Sequence, residues 1–263
     1  GTERQILLLW AQGQHRLSRE PRLEAVSRKG LWLFIACGIA WGIPYAFIRV
    51  AVEQFDVATI IFARVVIGAA VLIPFAIHRK AIMPALKHWP WVLAFALIEM
   101  AGPWFLITNA ERTVSSGLTG LLIAIVPFWA VFIAYWFLGD KSVKHPKTIF
   151  GLIIGFIGVF LLVGIDAFTA DLDLLGVAAV VLASLGYAIA PAISSHKIGH
   201  IDSAGVISLS MVIVAAIYAV PGLTALPASL PRATFDGWFA LAMLGVVCSA
   251  LAFILFFDLI KEI

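Results

Sequence analysis

The chain has 263 residues, of which 62% are hydrophobic and 13% are charged, and its mean hydropathy is +1.04. Soluble domains carry about a quarter charged residues, so this chain cannot hide its apolar surface in one water-soluble core and is predicted to lie in a membrane. The net charge of +3 is small and the basic residues form no single run, which argues against nucleic acid as a partner.

The chain starts with a polar segment, residues 1–29. It holds six Lys or Arg and three Glu around a short apolar run. That run is too short for the core of a signal peptide. We therefore expect residues 1–29 to form a poorly ordered tail on the cytoplasmic side of the membrane.

Eight apolar segments follow the tail. A membrane helix needs about 20 mostly apolar residues, and short polar connections separate the segments. They predict an all-α polytopic membrane protein that is embedded in a lipid bilayer. The predicted spans are 31–52, 57–77, 89–109, 115–138, 148–165, 174–195, 203–220 and 237–258.

Lysine and arginine indicate the orientation, because cytoplasmic connections of membrane proteins are enriched in them. With the N-terminus in the cytoplasm, the inside segments carry fourteen of these residues, six in the tail and eight in later connections. The outside segments carry two, Arg112 and Arg232, while Arg49 and Arg64 lie inside spans and complete the eighteen. The distribution predicts a cytoplasmic N-terminus.

An internal repeat relates the first span to the sixth and the third to the eighth. With a two-residue insertion, Asp56 falls opposite Asp202 and Gly42 falls opposite Gly186. The repeated unit has five spans, and five is odd, so a second copy enters the membrane upside down. Inverted repeats are typical of transporters, whose substrate site lies near the midplane between the halves.

The repeat predicts the domain organisation. The first repeat of five helices covers 30–165, and the second covers 166–263 with three helices. The fold class is therefore an inverted repeat of 5+5 helices, with eight present in this chain. We expect two further helices after Ile263; a genuine eight-helix protein is the alternative.

Four stretches carry a resemblance to a known family. Over residues 30–258 the sequence is similar to EamA-type transporters of the drug/metabolite transporter (DMT) superfamily, such as bacterial ten-helix exporters. The resemblance implies two inverted five-helix halves around a central cavity, export of small metabolites such as amino acids, and a place in the bacterial inner (plasma) membrane. The stretches are WGIPYAFIRVAVE, FARVVIGAAVLIPFA, NAERTVSSGLTGLLIAIVPFWAVFIAYWFLGDK and GLIIGFIGVFLLV.

Glu99 lies near the middle of the third span. An acidic residue at a helix centre costs about 2.5–3.5 kcal/mol on insertion scales, so this carboxyl needs a partner, a proton or water. We interpret Glu99 as a contact for a substrate amine or as a carrier of coupling protons. A carboxyl bonded to a neighbouring helix is the structural alternative. Its partner in the repeat alignment is Val246, and the resemblance assigns Glu99 no role.

Arg64 is the only other charge deep in a span. At about 1.5 Å of rise per residue, its depth differs from that of Glu99 by about 5 Å. We hypothesise that the two side chains pair directly or bind opposite ends of one zwitterionic substrate. A guanidinium that reaches the outer interface or bonds backbone carbonyls is the alternative.

Aromatic residues and prolines are further candidates for a pocket. Aromatic faces bind apolar groups and cations, and helix packing is the alternative reading of each ring. Prolines remove a backbone donor, and the resulting breaks suit a cavity wall or a hinge; a static kink is the alternative. The candidates are Trp41, Tyr45, Trp104, Trp129 and Tyr187 among the aromatic residues, and Pro44, Pro103, Pro127 and Pro191 among the prolines.

The leading function is a secondary transporter, in the exporting direction, of small organic solutes such as amino acids. Protons are a candidate coupling ion, since the sequence has no ATP-binding motif. No catalytic, cofactor or metal pattern is present, and Cys37 and Cys248 read as small buried apolar residues. The alternatives are a carrier of anionic sugar-phosphates or nucleotide sugars, a membrane enzyme, and a non-transporting scaffold or sensor. One buried arginine is too few for the anion carrier.

Overall fold

The structure, a computed structural model, describes residues 27–136, 144–163 and 173–262. Every regular element within these residues is a helix. Residues 1–26 of the predicted tail lie outside the described residues, as do the connections at 137–143 and 164–172. The positive connection that includes Lys141 is therefore only partly described.

The helices are numbered α1 to α13 in chain order, and two π-helical segments interrupt the third and eighth spans. The helices are α1 (Arg28–Gly42), α2 (Pro44–Val52), α3 (Val57–His78), α4 (Ile82–Lys87), α5 (Trp89–Phe95), α6 (Gly102–Ala110), α7 (Ser116–Ile123), α8 (Val126–Trp136), α9 (Pro146–Val163), α10 (Leu174–Lys197), α11 (Ser203–Ser229), α12 (Phe235–Gly245) and α13 (Ala252–Glu262). The π-helical segments are Ala96–Ala101 and Val246–Leu251, and a 3₁₀ turn covers Leu230–Arg232.

Seven stretches of the described helices are long and apolar enough to cross a membrane. They fall on seven of the eight predicted spans, and α9 lies at the place of the remaining one, the fifth. The prediction of an all-α polytopic membrane protein is confirmed. The inverted relation between the two halves stays a prediction.

Two aspartates that the repeat alignment places opposite each other have the same structural role. Asp56 is the N-cap of α3 and accepts a hydrogen bond from the backbone N–H of Ala58 at 2.9 Å. Asp202 is the N-cap of α11 and accepts one from Ala204 at 2.9 Å. A cap of this kind satisfies one of the free N–H groups of the first helical turn, so both aspartates begin the second span of their half.

Helix α3 lies at the centre of the described fold, packed along α11 and against α12. Lipid tails are as apolar as the side chains of these helices, so the hydrophobic effect does not drive helix association within the bilayer. Close van der Waals packing holds the helices together instead. Gly245 makes the approach of α12 possible, because an added Cβ there would lie 2.5 Å from the Cβ of Ile67. At the predicted inner end, an ion pair of 2.8 Å joins Arg79 to Asp202.

Three of the four predicted proline breaks are present. The first span is broken at Ile43, directly before Pro44. Pro103 lies in the first turn after the π-helical segment of the third span, and Pro127 follows the break between α7 and α8. The prediction for Pro191 is wrong: α10 continues through it as one helix.

Candidate functional site

A cavity of about 330 Å³ opens where the broken spans meet. Ligand sites are commonly a few hundred cubic ångströms and largely apolar, so this volume suits a small solute. Six of the seven predicted site residues line it, from both halves of the chain. The lining residues are Trp41, Pro44, Tyr45, Ile48, Arg64, Glu99, Trp104, Ile107, Ile123, Val126, Tyr187, Cys248 and Phe253.

The guanidinium of Arg64 is fixed by two contacts. Its Nε donates a hydrogen bond of 2.8 Å to Ser249 Oγ, and its Cζ lies 3.7 Å from the centre of the Trp104 ring. Such a cation–π contact favours one orientation of the planar group. Arg64 is only 8% exposed, so the cation is held within the bundle and does not reach the outer interface.

The π-helical segment of the eighth span provides the acceptor for Arg64. Ser249 lies in this segment, and its hydroxyl donates in turn to the backbone oxygen of Leu244 at 2.8 Å. A π-helical turn leaves backbone carbonyls without their usual partner, and such turns are frequent at functional sites. The sequence prediction missed Ser249, since a serine inside an apolar run gives no signal of this contact.

Glu99 lies in the other π-helical segment, in the third span. It is half-buried and lines the cavity, and its buried Oε2 has no hydrogen-bond partner. Within the described residues, no ion pair joins it to Arg64, whose Nε bonds Ser249 instead. The direct pair is therefore not formed, and the two charged groups face one cavity separately.

Aromatic rings form much of the cavity wall. Trp41, beside the break in the first span, packs its ring on Phe253 and Phe256 at centroid distances of 5.8 and 5.1 Å. Trp104 is 5% exposed and lies under the Arg64 guanidinium. The rings present apolar surface beside one cation and one acid, so the cavity has the chemistry to bind an amphipathic solute.

Trp129 does not line the cavity, contrary to the prediction. Its indole Nε1 donates a hydrogen bond of 3.0 Å to Ser184 Oγ, which donates to the backbone oxygen of Val181. The ring therefore bridges α8 to α10. The position of an aromatic residue along a span does not determine whether its side of the helix faces the cavity.

Gly186 allows α10 to touch the π-helical segment that carries Glu99. An added Cβ at Gly186 would lie 2.7 Å from the backbone oxygen of Ile98 and 3.0 Å from Pro103 Cγ. The neighbouring Tyr187 thereby reaches the cavity from the second half of the chain. The close approach positions both Tyr187 and the segment around Glu99.

We expect Gly186→Ala to lower the melting temperature of the purified protein, because a backbone oxygen cannot move aside as a flexible side chain does. Overpacking of this kind costs about 1–3 kcal/mol. Gly38→Ala is the matched control, since a Cβ there meets nothing within 4 Å. Equal melting temperatures for the two variants would contradict the close contact at Gly186.

Within residues 27–136, 144–163 and 173–262, no three His, Cys, Asp or Glu side chains are grouped so as to hold a metal ion. Cys37 and Cys248 are both buried, free thiols. The prediction did not place Cys248 in the cavity wall, because a cysteine in an apolar run reads the same whether it faces a neighbour helix or a cavity.

Comparison with known proteins gives three findings. The sequence model described as "EamA-like transporter family" matches residues 28–164. The chain is 26% identical over 117 residues to a "Probable terminal-alkyne amino-acid exporter" of Streptantibioticus cattleyicolor, covering 43% of this chain and 38% of that protein. It is 25% identical over 150 residues to the "Uncharacterized transporter YdfC" of Bacillus subtilis, covering 57% of this chain and 48% of that protein.

The fold is also similar to a solved one. A crystal structure superposes with a TM-score of 0.66 at 19% identity, over 90% of this chain and 80% of the other. The matches to the two relatives span less than half of each relative's own length. The family match covers the first five predicted spans, which contribute most of the cavity wall.

Proposed function

We propose a function from one premise: the chain belongs to the EamA-like transporter family. It is a multi-pass membrane protein with the fold and the family of a transporter. The finer proposal is a secondary transporter that exports small zwitterionic solutes of the amino-acid class, with its N-terminus in the cytoplasm of a bacterial cell. The relative named as an amino-acid exporter supports this substrate class.

One observation carries the proposal: a single cavity presents one fixed cation and one carboxyl with an unpartnered oxygen. Arginine has five N–H donors. Arg64 uses its Nε on Ser249, and neither Nη makes a hydrogen bond within the described residues. Two parallel N–H groups match the geometry of a carboxylate, so the Nη groups are placed to bind the acidic end of a solute.

Glu99 would bind the other end. A carboxylate accepts hydrogen bonds from an ammonium group, and such charge-assisted bonds are stronger than neutral ones. The rings of Trp104 and Tyr187 line the same cavity and would contact an apolar side chain. An anionic sugar-phosphate would meet one cation and an opposing acid, which makes it a poorer fit than a zwitterion.

Alternating access would use the breaks around the cavity. The first span breaks at Ile43, and the fourth breaks between α7 and α8. Lining residues come from the first half and, in the second half, from α10 and the eighth span. Rocking of one half against the other is the usual movement of transporters with inverted repeats, and it would open the cavity to either side in turn.

The test is a ligand panel on the purified full-length protein, read as a rise in melting temperature. A solute that binds only the folded state at a hundred times its Kd adds about 2.7 kcal/mol of stability. We expect zwitterionic amino acids to raise the melting temperature and sugar-phosphates to leave it unchanged. Stabilisation by sugar-phosphates alone would overturn the proposed substrate class.

A further inference from the structure

A second buried acid, Glu111, lies at the predicted outer end of the bundle, between α6 and α7. Its side chain is 0% exposed. Oε2 accepts a hydrogen bond of 2.8 Å from Ser116 Oγ, while Oε1 is buried and has no hydrogen-bond partner. An unpartnered carboxylate oxygen removed from water is costly, so the environment favours the neutral acid.

Arg49 contacts Glu111 without forming an ion pair with its carboxyl. Arg49 Nη1 donates to the backbone oxygen of Glu111 at 2.8 Å, and its Nε lies 3.6 Å from the exposed carboxylate of Glu53. Within the described residues, no ion pair reaches the Glu111 side chain itself. The Arg49 guanidinium therefore binds the backbone at Glu111 and not its carboxyl. The charge of that carboxyl is then neutralised by a proton.

The hydroxyl of Ser116 links Glu111 to the cavity. Ser116 Oγ lies 2.8 Å from Glu111 Oε2 and 3.0 Å from the backbone oxygen of Tyr45. A hydroxyl has one hydrogen to donate, so it can serve only one of these acceptors when Glu111 is ionised. When Glu111 carries a proton, its O–H donates to Ser116 Oγ, and Ser116 donates to Tyr45.

Tyr45 connects this chain of bonds to the substrate site. It lies in the first turn of α2, directly after the break in the first span, and its side chain lines the cavity. Its ring also packs against α7, since an added Cβ at Gly120 would lie 3.3 Å from Tyr45 Cδ2. The hydrogen bond from Ser116 to the Tyr45 carbonyl therefore joins the start of α7 to the start of α2.

Within the described residues, the charged and titratable groups around Glu111 lie on α2, at the start of α10 and in its own connection, where Arg112 is exposed. Tyr45 and Arg49 face it from α2, and Asp173, the N-cap of α10, bonds the hydroxyl of Thr113 in the same connection. The Thr119 hydroxyl lies near the carboxyl without making a bond of hydrogen-bond geometry. Burial raises the pKa of Glu111 to about 7, against the smaller opposing effects of the Ser116 and Thr119 hydroxyls and of the Arg49 charge.

We propose that Glu111 is a proton-binding site of this transporter, whose proton ties the first span to the fourth through Ser116 and Tyr45. The proposal rests on the proposed function and assigns coupling to this acid, where the sequence pointed to Glu99. One proton from the outer solution binds Oε2 and neutralises the carboxyl. Its release returns Ser116 to the carboxylate and frees the carbonyl of Tyr45, so that the outer half of the first span can move.

The first readout needs no substrate. We compare the melting temperatures of wild type and Glu111→Gln from about pH 4.5, the ordinary pKa of a glutamate, to about one unit above 7. The glutamine donates to Ser116 as the protonated acid does and cannot ionise. Because the folded state holds its proton up to a pKa of about 7 and the unfolded state loses it near 4.5, the wild type loses stability as pH rises between these values. We expect equal melting temperatures at low pH and a more stable variant at high pH.

The second readout is exchange of a labelled amino acid through proteoliposomes at the same pH values. One pH unit below the pKa roughly nine in ten carboxyls are protonated, and one unit above roughly one in ten. We expect the wild-type rate to rise severalfold with pH over this interval, because loss of the proton frees the first span, and the rate of Glu111→Gln to be constant. Asp236→Asn, which removes an exposed acid, is the control and keeps the wild-type profile.

Ser116→Ala keeps the proposal testable if Glu111→Gln fails to fold. Because the Ser116 hydrogen bond favours the ionised form, its loss moves the midpoint of the stability profile to higher pH. A parallel pH profile in wild type and Glu111→Gln, or an unmoved midpoint in Ser116→Ala, overturns the proton site. Absence of exchange by wild type at every pH overturns the proposed function and the coupling role, while the stability difference would still support proton binding at Glu111.

Discussion

Arg64→Ala is expected to reduce the affinity for a zwitterionic amino acid severely, because it removes the cation that binds the carboxylate. Truncating one partner of a buried, hydrogen-bonded charge pair costs about 2–5 kcal/mol, which is roughly 30-fold to several thousand-fold in Kd. Calorimetric titration of the purified full-length protein measures this loss. We expect the affinity for the matching amine, which lacks the carboxylate, to be unchanged.

Two further variants separate binding from folding. Arg64→Lys should fail to restore affinity, because an ammonium cannot hold the Ser249 bond, stack on Trp104 and present two parallel donors at once. Arg232→Ala removes an exposed arginine and should bind as wild type does. An equal loss of affinity for the amino acid and for its amine in Arg64→Ala would show that Arg64 maintains the cavity and does not bind the carboxylate.

Glu99→Gln is expected to weaken binding of solutes that carry an amine. The substitution keeps the shape of the side chain and removes its charge, so a charge-assisted hydrogen bond worth about 1.5–3 kcal/mol is lost. That corresponds to roughly 10-fold to 150-fold in Kd. The deaminated acid, which still meets Arg64, should bind wild type and variant alike in the same titration.

Asp236→Asn serves as the control for Glu99→Gln, because it removes an exposed acid that does not line the cavity. Unchanged affinity for the amino acid in Glu99→Gln would remove Glu99 from the site. Its carboxyl would then be a buried group without a role in recognition, and the substrate class would need an explanation from Arg64 alone.

Much of the fold is readable from the sequence because the bilayer imposes a strong constraint. Runs of about 20 apolar residues form helices, since no water is available to satisfy an open backbone. Asp56 and Asp202 match in the sequence repeat, and in the structure both are N-caps. The cost of an intramembrane charge identified Glu99 and Arg64, both of which line the cavity.

The partners of these charges were not readable in the same way. The hydrogen bond from Arg64 to Ser249 depends on a π-helical segment, which the hydrophobic pattern does not reveal. The sequence alignment sets Val246 opposite Glu99, whereas matching the two π-helical segments sets Ser249 there, since Glu99 and Ser249 are each the fourth residue of their segment. The two alignments differ by three residues. The first sets the apolar Val246 opposite Glu99, and the second sets Ser249 there, the residue that accepts the hydrogen bond from Arg64.

Glu111 was missed for a related reason. Its position between two spans marks it as an ordinary polar residue of an outer connection, and nothing in the local sequence indicates full burial. Burial follows from how the first span and α7 close over the connection, as the bonds from Arg49 to the Glu111 carbonyl and from Ser116 to the Tyr45 carbonyl show. Tertiary packing of this kind involves residues more than 60 positions apart, beyond the reach of periodicity.

The most direct test of the central claim is exchange of a labelled amino acid across liposomes that contain the purified full-length protein. The amino acid that most raises the melting temperature is loaded unlabelled inside, and uptake of the labelled form is followed. We expect rapid uptake in wild type, its loss in Arg64→Ala and wild-type uptake in Arg232→Ala. No uptake above protein-free liposomes for any stabilising amino acid would contradict transport of this substrate class.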